Sequence, residues 1–219
     1  MKLIIANPPY FAGRENYTKN VEKDSHLRLN KRLLDTYIKN STAKNKASLY
    51  DSYFKAYRWC TDQLGSDGGI IAFVSNGSWL NSVSGNGFRR VIEKEFTSIY
   101  IFNLRGNGRV SGDFCKKEGD VIFKAVSGSC GGSRVPVVII FLVKNPAIQT
   151  ERAQIYYHTI ADYLDIKEKI KIISEFKTIL NNSLNFKKLE SDKYGDWFNK
   201  RTPVFESFIP IYIKNNPDK

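Results

Sequence analysis

A short apolar run that ends in two prolines is the sequence feature that most constrains this fold. Leu3 to Ala6 is wholly apolar and contains two β-branched residues, so it predicts a short strand buried on both faces. Pro8 and Pro9 end this strand at Asn7, because they fix φ and remove two backbone donors. The sequence therefore predicts a rigid polar tip at the carboxyl end of a strand, where open α/β sheets place their ligands.

The tetrapeptide Asn7-Pro8-Pro9-Tyr10 carries groups that suit a planar exocyclic amine. The Asn7 side-chain carbonyl and the Pro8 backbone carbonyl can accept both hydrogens of such an amine and direct its lone pair toward an electrophile. Tyr10 offers a flat face for the ring that bears the amine, and Phe11 follows directly. The alternative interpretation is an ordinary Pro-Pro turn after a strand, with both aromatic residues in the core.

The net charge favours a polyanionic partner. A formal charge of +12 and a pI near 9.5 make nucleic acid the first candidate, and an acidic protein substrate a less natural one. A general lysine-rich bias with solvated side chains is the alternative. The arginines that we consider candidates for DNA contacts are Arg14, Arg28, Arg32, Arg89, Arg90 and Arg105.

Composition excludes several other classes of protein. The longest apolar run, 135–143, contains a proline and is too short to cross a bilayer, and no charged-then-apolar leader precedes Leu3. Cys60, Cys115 and Cys130 have no paired metal-ligand spacing, so we expect reduced thiols, no metal site and a cytoplasmic protein.

Strand and helix patterns alternate along the chain, which predicts an α/β fold. After a basic insertion at 13–46, with a helix at 26–38, the predicted elements are a helix at 53–64, a strand at 69–76, a helix at 87–96 and strands at 98–104, 121–126 and 135–143. A strand at 154–160 and a helix with a lysine-rich outer face at 166–180 follow. Parallel pairing of the first two strands would bring Asn76, Ser78 and Trp79 beside the Asn7 tip.

The Asn7-Pro8-Pro9-Tyr10 motif resembles the catalytic motif of amino-group methyltransferases that use S-adenosylmethionine. Its Asn form is typical of N6-adenine-specific DNA methyltransferases, and protein glutamine N5-methyltransferases and some RNA enzymes carry it too. Further stretches resemble the methylase region of large single-polypeptide restriction–modification enzymes; they are residues 48–53, 69–76, 102–107 and 195–197 with Arg201. This wider resemblance favours DNA adenine over protein glutamine.

The resemblance implies the second half of a class I (Rossmann-like) methyltransferase sheet, with strands four to seven at 3–6, 69–75, 99–104 and 137–143. The last strand would be antiparallel and lie between the fifth and the sixth. Residues 1–148 would then form the catalytic half. Residues 149–219 would form a strand–helix extension and the start of a further, truncated domain of helical and irregular character.

The resemblance also implies how the methyl donor is held. Such enzymes bind S-adenosylmethionine through a Gly-rich loop after strand one and an acidic residue after strand two, and here only Met1 and Lys2 precede the predicted fourth strand. We therefore expect the main cofactor-binding motif to be absent from this chain. Ala6 and Asn7 would contact only the methyl end of the cofactor.

The predicted activity is S-adenosylmethionine-dependent methylation of adenine N6 in double-stranded DNA. Asn7, Pro8, Pro9 and Tyr10 would form the catalytic tip, and Tyr10 and Phe11 would stack the base. The isolated chain would be inactive without a cofactor-binding half, for example one supplied by a second chain. Two alternatives stay open: a non-catalytic DNA-binding or partner-docking fragment, and a protein glutamine N5-methyltransferase.

Overall fold

A computed structural model describes residues 1–9, 27–123, 134–181, 183–202, 204 and 207–208. Its strands are β1 (Lys2–Ala6), β2 (Gly69–Asn76), β3 (Ser98–Asn103), β4 (Val137–Lys144), β5 (Gln154–Thr159) and β6 (Lys187–Leu189). Its α-helices are α1 (Leu27–Leu33), α2 (Ser52–Leu64), α3 (Asn86–Glu95), α4 (Gly112–Glu118) and α5 (Ile166–Phe176). A π-helical turn, Leu34–Ile38, continues α1, and 3-10 turns span Ala47–Tyr50 and Ser78–Leu80.

The strands form one mixed sheet in the order β1-β2-β4-β3-β5-β6. β1 runs parallel to β2, and β3 runs parallel to β5. β4 lies antiparallel between β2 and β3, as the family resemblance implied. This mixed α/β sheet is compatible with the expected methyltransferase-like fold.

Helices α2 and α3 cover one face of the sheet because each carries a continuous apolar stripe. Tyr57 of α2 and Phe88 of α3 are fully buried, and their rings lie 4.9 Å apart above Phe73 of β2. Burial of such a side chain contributes about 1.5–3 kcal/mol. The predicted apolar stripes of both helices are therefore confirmed.

Glycine permits two close backbone approaches in this layer. A Cβ on Gly87 would lie 2.0 Å from the Tyr37 carbonyl oxygen, so α3 packs directly against the π-helical turn. At the start of β2, Gly69 has φ +149°, and a Cβ there would lie 2.1 Å from the Lys2 carbonyl oxygen. The second approach allows β1 to pair with β2 in its observed register.

Helix α5 covers the opposite face at the β3 side of the sheet. Phe102 and Val137 form a second buried cluster there, against the half-buried Ile173 and Phe176 of the helix. The side chain of Lys169 is 0% exposed in the same helix. The predicted lysine-rich outer face of α5 is therefore wrong at this position.

Strand β1 is more exposed than the sequence predicted. Leu3 is 62% exposed and Ile5 is 73% exposed, while Ile4 packs against the core on the α2 side. β1 is the edge strand, and no described element covers the face that carries Leu3 and Ile5. The prediction of a strand buried on both faces is therefore wrong.

A second correction concerns the predicted strand at 121–126. Residues 121–123 form a turn after α4 rather than a strand, and the other residues of that prediction lie outside the described part of the chain. The turn begins directly after Asp120, whose N–H donates to the Leu164 carbonyl instead of to a strand.

The segment after β6 returns to the main core. Trp197 is 3% exposed, its ring packs edge-on against Trp79, and its indole N–H donates to Glu93 of α3. Arg89 binds Asp196 at 2.6 Å. β5 also extends the main sheet, and the predicted division of the chain at 148/149 stays a prediction.

We predict that Trp197→Ala lowers the free energy of unfolding by about 3–5 kcal/mol, because it removes a buried aromatic side chain and the donor to Glu93. Trp59→Ala is the matched control, since Trp59 is 53% exposed on α2. Urea unfolding of both variants measures the difference. Equal, small losses would contradict the place of Trp197 in the core.

Candidate active site

The polar tip lies at the carboxyl edge of the parallel pair β1–β2. In the register of this pair Ala6 lies opposite Phe73, so Asn7 leaves the sheet on the same edge as Asn76. Pro8 is buried, while Asn7 and Pro9 are exposed. The tip thus combines one buried proline with exposed residues on both sides of it. Tyr10 and Phe11 lie outside the described residues.

The turn after β2 forms the next part of this edge. The Asn76 side-chain oxygen accepts the Ser78 backbone N–H at 2.8 Å, and the Gly77 N–H donates to the Pro136 carbonyl at 2.8 Å. Asn76, Ser78 and Trp79 thus follow the strand beside Asn7, as predicted. The Trp79 ring is 0% exposed, however, so it serves the core and not a ligand.

The loop after β3 brings cations to the same edge. Arg105 and Gly106 both have positive φ, and the Asn103 side-chain oxygen accepts the Arg105 backbone N–H at 2.9 Å. Arg109 is exposed at the end of this loop. The predicted turn with two cations is present, but only Arg109 presents its charge outward, because Arg105 is ion-paired with Asp162 and Glu118.

Arg134, which the sequence analysis missed as a site residue, secures this loop from the other side. Its Nε and Nη2 atoms donate to the Gly108 carbonyl at 3.2 and 2.9 Å, and the side chain remains exposed. Arg134 is three residues before β4, and β4 runs antiparallel to β2 and β3. The start of β4 therefore lies at the edge where β1, β2 and β3 end, a position that the sequence pattern of the strand alone did not reveal.

The predicted DNA contacts occupy different environments. Arg28 is exposed on α1, Arg32 makes two hydrogen bonds to Asp62, and Arg90 is partly exposed beside the Asn40 carbonyl. Arg89 is 1% exposed and donates to Asp196 and to backbone carbonyls. The expected surface position of Arg89 is therefore wrong, and this guanidinium supports the fold. Arg14 lies outside the described residues.

Asp51 is a half-buried carboxylate directly before α2, the helix that connects to β2. Its Oδ1 atom is buried and has no hydrogen-bond partner in the described part of the chain. Burial raises the pKa of Asp51 to about 6, against the opposing effects of the Tyr53 and Ser52 backbone N–H groups and of Arg109. An unpartnered carboxylate oxygen at this edge is a group that a ligand donor would satisfy.

S-adenosylmethionine is the cofactor that the sequence resemblance implies, and its methyl end is expected at the tip segment. Ala6, Asn7 and the buried Pro8 form a wall beside β2, but the face of β1 that carries Leu3 and Ile5 is open. Within the described ranges we find no glycine-rich turn between a strand and a following long helix that would hold the rest of the molecule. The expected contacts of Ala6 and Asn7 with the methyl end of the cofactor stay a prediction.

Possible metal ligands and membrane-spanning helices among the described residues also bear on function. Among them, no group of three or more His, Cys, Asp or Glu side chains is placed to hold a metal ion. Nor does any described helix combine the length and apolar character needed to cross a membrane.

We predict that Asp51→Asn becomes more stable relative to the wild type as the pH rises from about 4 to about 7. The folded state holds the Asp51 proton up to about pH 6, above the value of 3.8 for an unperturbed aspartate, so ionisation in this window costs stability. After discounting for partial solvent screening, we expect about 1 kcal/mol.

Urea unfolding at pH 4.5 and pH 7.5 tests this, with Asp113→Asn as the control at an exposed position. A stability difference between Asp51→Asn and the wild type that does not change with pH would contradict the prediction.

Comparison with known proteins finds a similar family for the first half of the chain. Residues 2–109 match the family described as the Eco57I restriction-modification methylase. No match was found among curated protein sequences.

Solved structures match nearly the whole chain. A nuclease-deletion mutant of the Type ISP restriction-modification enzyme LlaGI, in complex with a DNA substrate mimic, is 37% identical over 97% of this chain, with a TM-score of 0.81. The ATP-dependent Type ISP restriction-modification enzyme LlaBIII, bound to DNA, is 30% identical over 100% of the chain, with a TM-score of 0.86. A DrdV–DNA complex is 32% identical over 93%, with a TM-score of 0.77.

The chain spans 16%, 14% and 18% of the lengths of these three proteins, respectively. The predicted resemblance to the methylase region of large restriction–modification enzymes is confirmed. Residues 2–109 are therefore similar to the Eco57I restriction–modification methylase family, and the whole chain is similar to one region of much larger restriction–modification enzymes.

Proposed function

We propose that this chain is the catalytic segment of an S-adenosylmethionine-dependent DNA methyltransferase that modifies adenine N6 in the cytoplasm. The observation that carries the proposal is the position of Asn7, exposed at the carboxyl edge of the sheet beside the buried Pro8, within the residues that match a restriction–modification methylase family. Asn7 is a side-chain acceptor at the place where α/β sheets bind ligands.

In the proposed reaction the tip orients the target amine. The Asn7 side-chain oxygen and the Pro8 carbonyl each accept one hydrogen of the adenine N6 amine, which directs the nitrogen lone pair out of the ring plane. Tyr10 stacks on the base after it leaves the duplex, with Phe11 beside it. S-adenosylmethionine supplies the methyl group. The amine needs no general base before transfer, because N6 loses its proton after the new N–C bond has formed.

DNA is the proposed partner, and the structure offers cations for it at the same edge. Arg109 and Arg134 are exposed there, and Arg28 is exposed on α1. The chain carries a net charge of +12. The structures of the three similar proteins contain DNA or a DNA mimic, which supports the same partner for this chain.

We further propose that a cofactor-binding half, on the same or a second polypeptide, completes the site. The outer edge of β1 has no strand partner among the described residues, and Leu3 and Ile5 expose an apolar face beside it. On the same face, an apolar pocket of about 120 Å³ lies between the sheet and the end of α5. A further α/β layer would cover this face and would pair with the edge of β1.

Two other functions compete with this proposal. A non-catalytic DNA-binding fragment agrees with the basic surface, and it predicts salt-dependent binding to duplex without methyl transfer in any assembled enzyme. A protein glutamine N5-methyltransferase agrees with the motif alone, and it predicts methylated peptide and unmodified DNA. Mass spectrometry of both products after incubation with S-adenosylmethionine distinguishes the three functions.

We predict that Asn7→Ala reduces methyl transfer to DNA by about 10²- to 10³-fold in the enzyme reconstituted with its cofactor-binding half, because one acceptor of the amine is lost. Transfer of a tritiated methyl group to duplex DNA measures the effect. Asn145→Ala is the matched control, since Asn145 is exposed directly after β4, at the opposite edge of the sheet. Full activity of Asn7→Ala would refute the proposed role of the tip.

We also predict that the 219-residue chain alone binds S-adenosylmethionine no tighter than about millimolar, which is about 4 kcal/mol of affinity. The contacts at Ala6 and Asn7 are too few to offset the loss of translational freedom on binding. Calorimetric titration of the purified chain is the measurement. A micromolar dissociation constant would reveal a complete cofactor site within the chain.

A further inference from the structure

Lys169 places a buried ammonium among three backbone carbonyls. The side chain is 0% exposed, and its Nζ atom donates to the carbonyl oxygens of Leu104 at 2.9 Å, Glu118 at 2.9 Å and Asp120 at 2.7 Å. An ammonium has three hydrogens, so every donor is used. Hydrogen bonds to a charged donor are stronger than those between neutral groups, and they strengthen further away from water.

The three carbonyl groups lie at the two ends of one segment, which leaves the sheet after β3 and returns to it after α4. Residues 104–120 leave the sheet after β3, form the cationic loop and α4, and return; we refer to them as the 104–120 excursion. Leu104 is its first residue, and Glu118 and Asp120 stand at its return. One ammonium from a different element, α5, thus holds the excursion closed.

The closed excursion in turn fixes the loop that faces the candidate site. The Gly106 N–H donates to the Glu118 carbonyl at 3.1 Å, and the Asn107 N–H donates to the Glu118 carboxylate at 3.2 Å. Arg134 binds the Gly108 carbonyl of the same loop. The positions of the exposed cations at Arg109 and Arg134 therefore depend on the closure at Glu118.

The charges around Lys169 make this closure sensitive to pH. Burial lowers the pKa of the Lys169 ammonium to about 8, Arg105 lowers it as well, and Glu118 and Asp120 raise it. Above this pH the neutral amine has two hydrogens for three carbonyls. One end of the excursion then loses its donor.

We propose that Lys169 is a positioning residue for DNA binding: by closing the 104–120 excursion it holds Arg109 and Arg134 at the carboxyl edge, beside Asn7. This inference rests on the proposed function for its DNA partner. The geometric part, closure of the excursion by Lys169, stands independently of that partner and is tested without it.

The first experiment is amide hydrogen exchange on the complete 219-residue chain. In Lys169→Met, which keeps the length of the side chain and removes the ammonium, protection of the Gly106 and Asn107 amides should fall at least about tenfold. Lys167→Met is the matched control, because it removes an exposed lysine from the same helix. Protection in the control should equal that of the wild type. Unchanged protection at Gly106 and Asn107 in Lys169→Met would overturn the inference.

A pH series on the wild type provides a second test, which also serves if Lys169→Met does not fold. After correction for the intrinsic exchange rate, protection of Gly106 and Asn107 should fall between about pH 7 and pH 9, while that of β4 amides stays constant. Constant protection of both sets would overturn the inference.

The third experiment measures binding to a short labelled duplex of mixed sequence over a salt series. If Arg109 and Arg134 each neutralise one phosphate, Lys169→Met should reduce the slope of log K against log salt by about 2, and Lys167→Met should leave it near the wild-type value. An unchanged slope in Lys169→Met would overturn the role in DNA binding. Absence of salt-dependent binding by the wild type would instead refute the proposed function, and the exchange experiments would still decide the closure.

Discussion

The antiparallel insertion of β4 between β2 and β3 is the constraint on which the rest of the structure depends. β4 pairs with both neighbours along nearly its whole length, and Val138, Ile140 and Leu142 are fully buried. Because its direction is reversed, it begins where its neighbours end. The approach to β4 thereby becomes part of the candidate site, and Arg134 and Pro136 contact the loops that follow β3 and β2.

Several of the cations in this basic chain serve the interior. Arg89 and Lys169 both donate to backbone carbonyls of loops at the carboxyl edge, and Arg58, 2% exposed, binds Asp62 and Glu95. Carbonyl groups in irregular loops need donors when they are buried, and a long cationic side chain from a neighbouring helix supplies several at once. Net charge alone therefore overstates the positive surface that is available to DNA.

The sequence predicted the elements whose patterns are local. The apolar stripes of α2 and α3, the buried run of β4 and the proline-terminated tip could all be recognised because each depends on spacing within a few residues. The antiparallel place of β4 was expected from the family resemblance rather than from spacing. The motif placed Asn7 at the end of a strand, and the structure agrees.

What the sequence did not reveal depends on contacts between distant segments. In the sequence, Lys169 and Arg89 look like solvated residues on amphipathic helices. The carbonyl groups that bind Lys169 lie 49–65 positions away along the sequence. Those that bind Arg89 lie 7–106 positions away. The exposure of Leu3 and Ile5 likewise cannot be predicted from an apolar run, because it depends on which strand forms the edge of the sheet.

The glycine at the start of β2 has a consequence for the position of Asn7. At Gly69, the Lys2 carbonyl occupies the space that any side chain would need, so β1 can sit in its present register only while that position lacks a Cβ. β1 is five residues long and spans about 16 Å, so a shift at its start beside Gly69 would be carried along the strand to the tip. A substitution at Gly69 would therefore displace Asn7 without touching it.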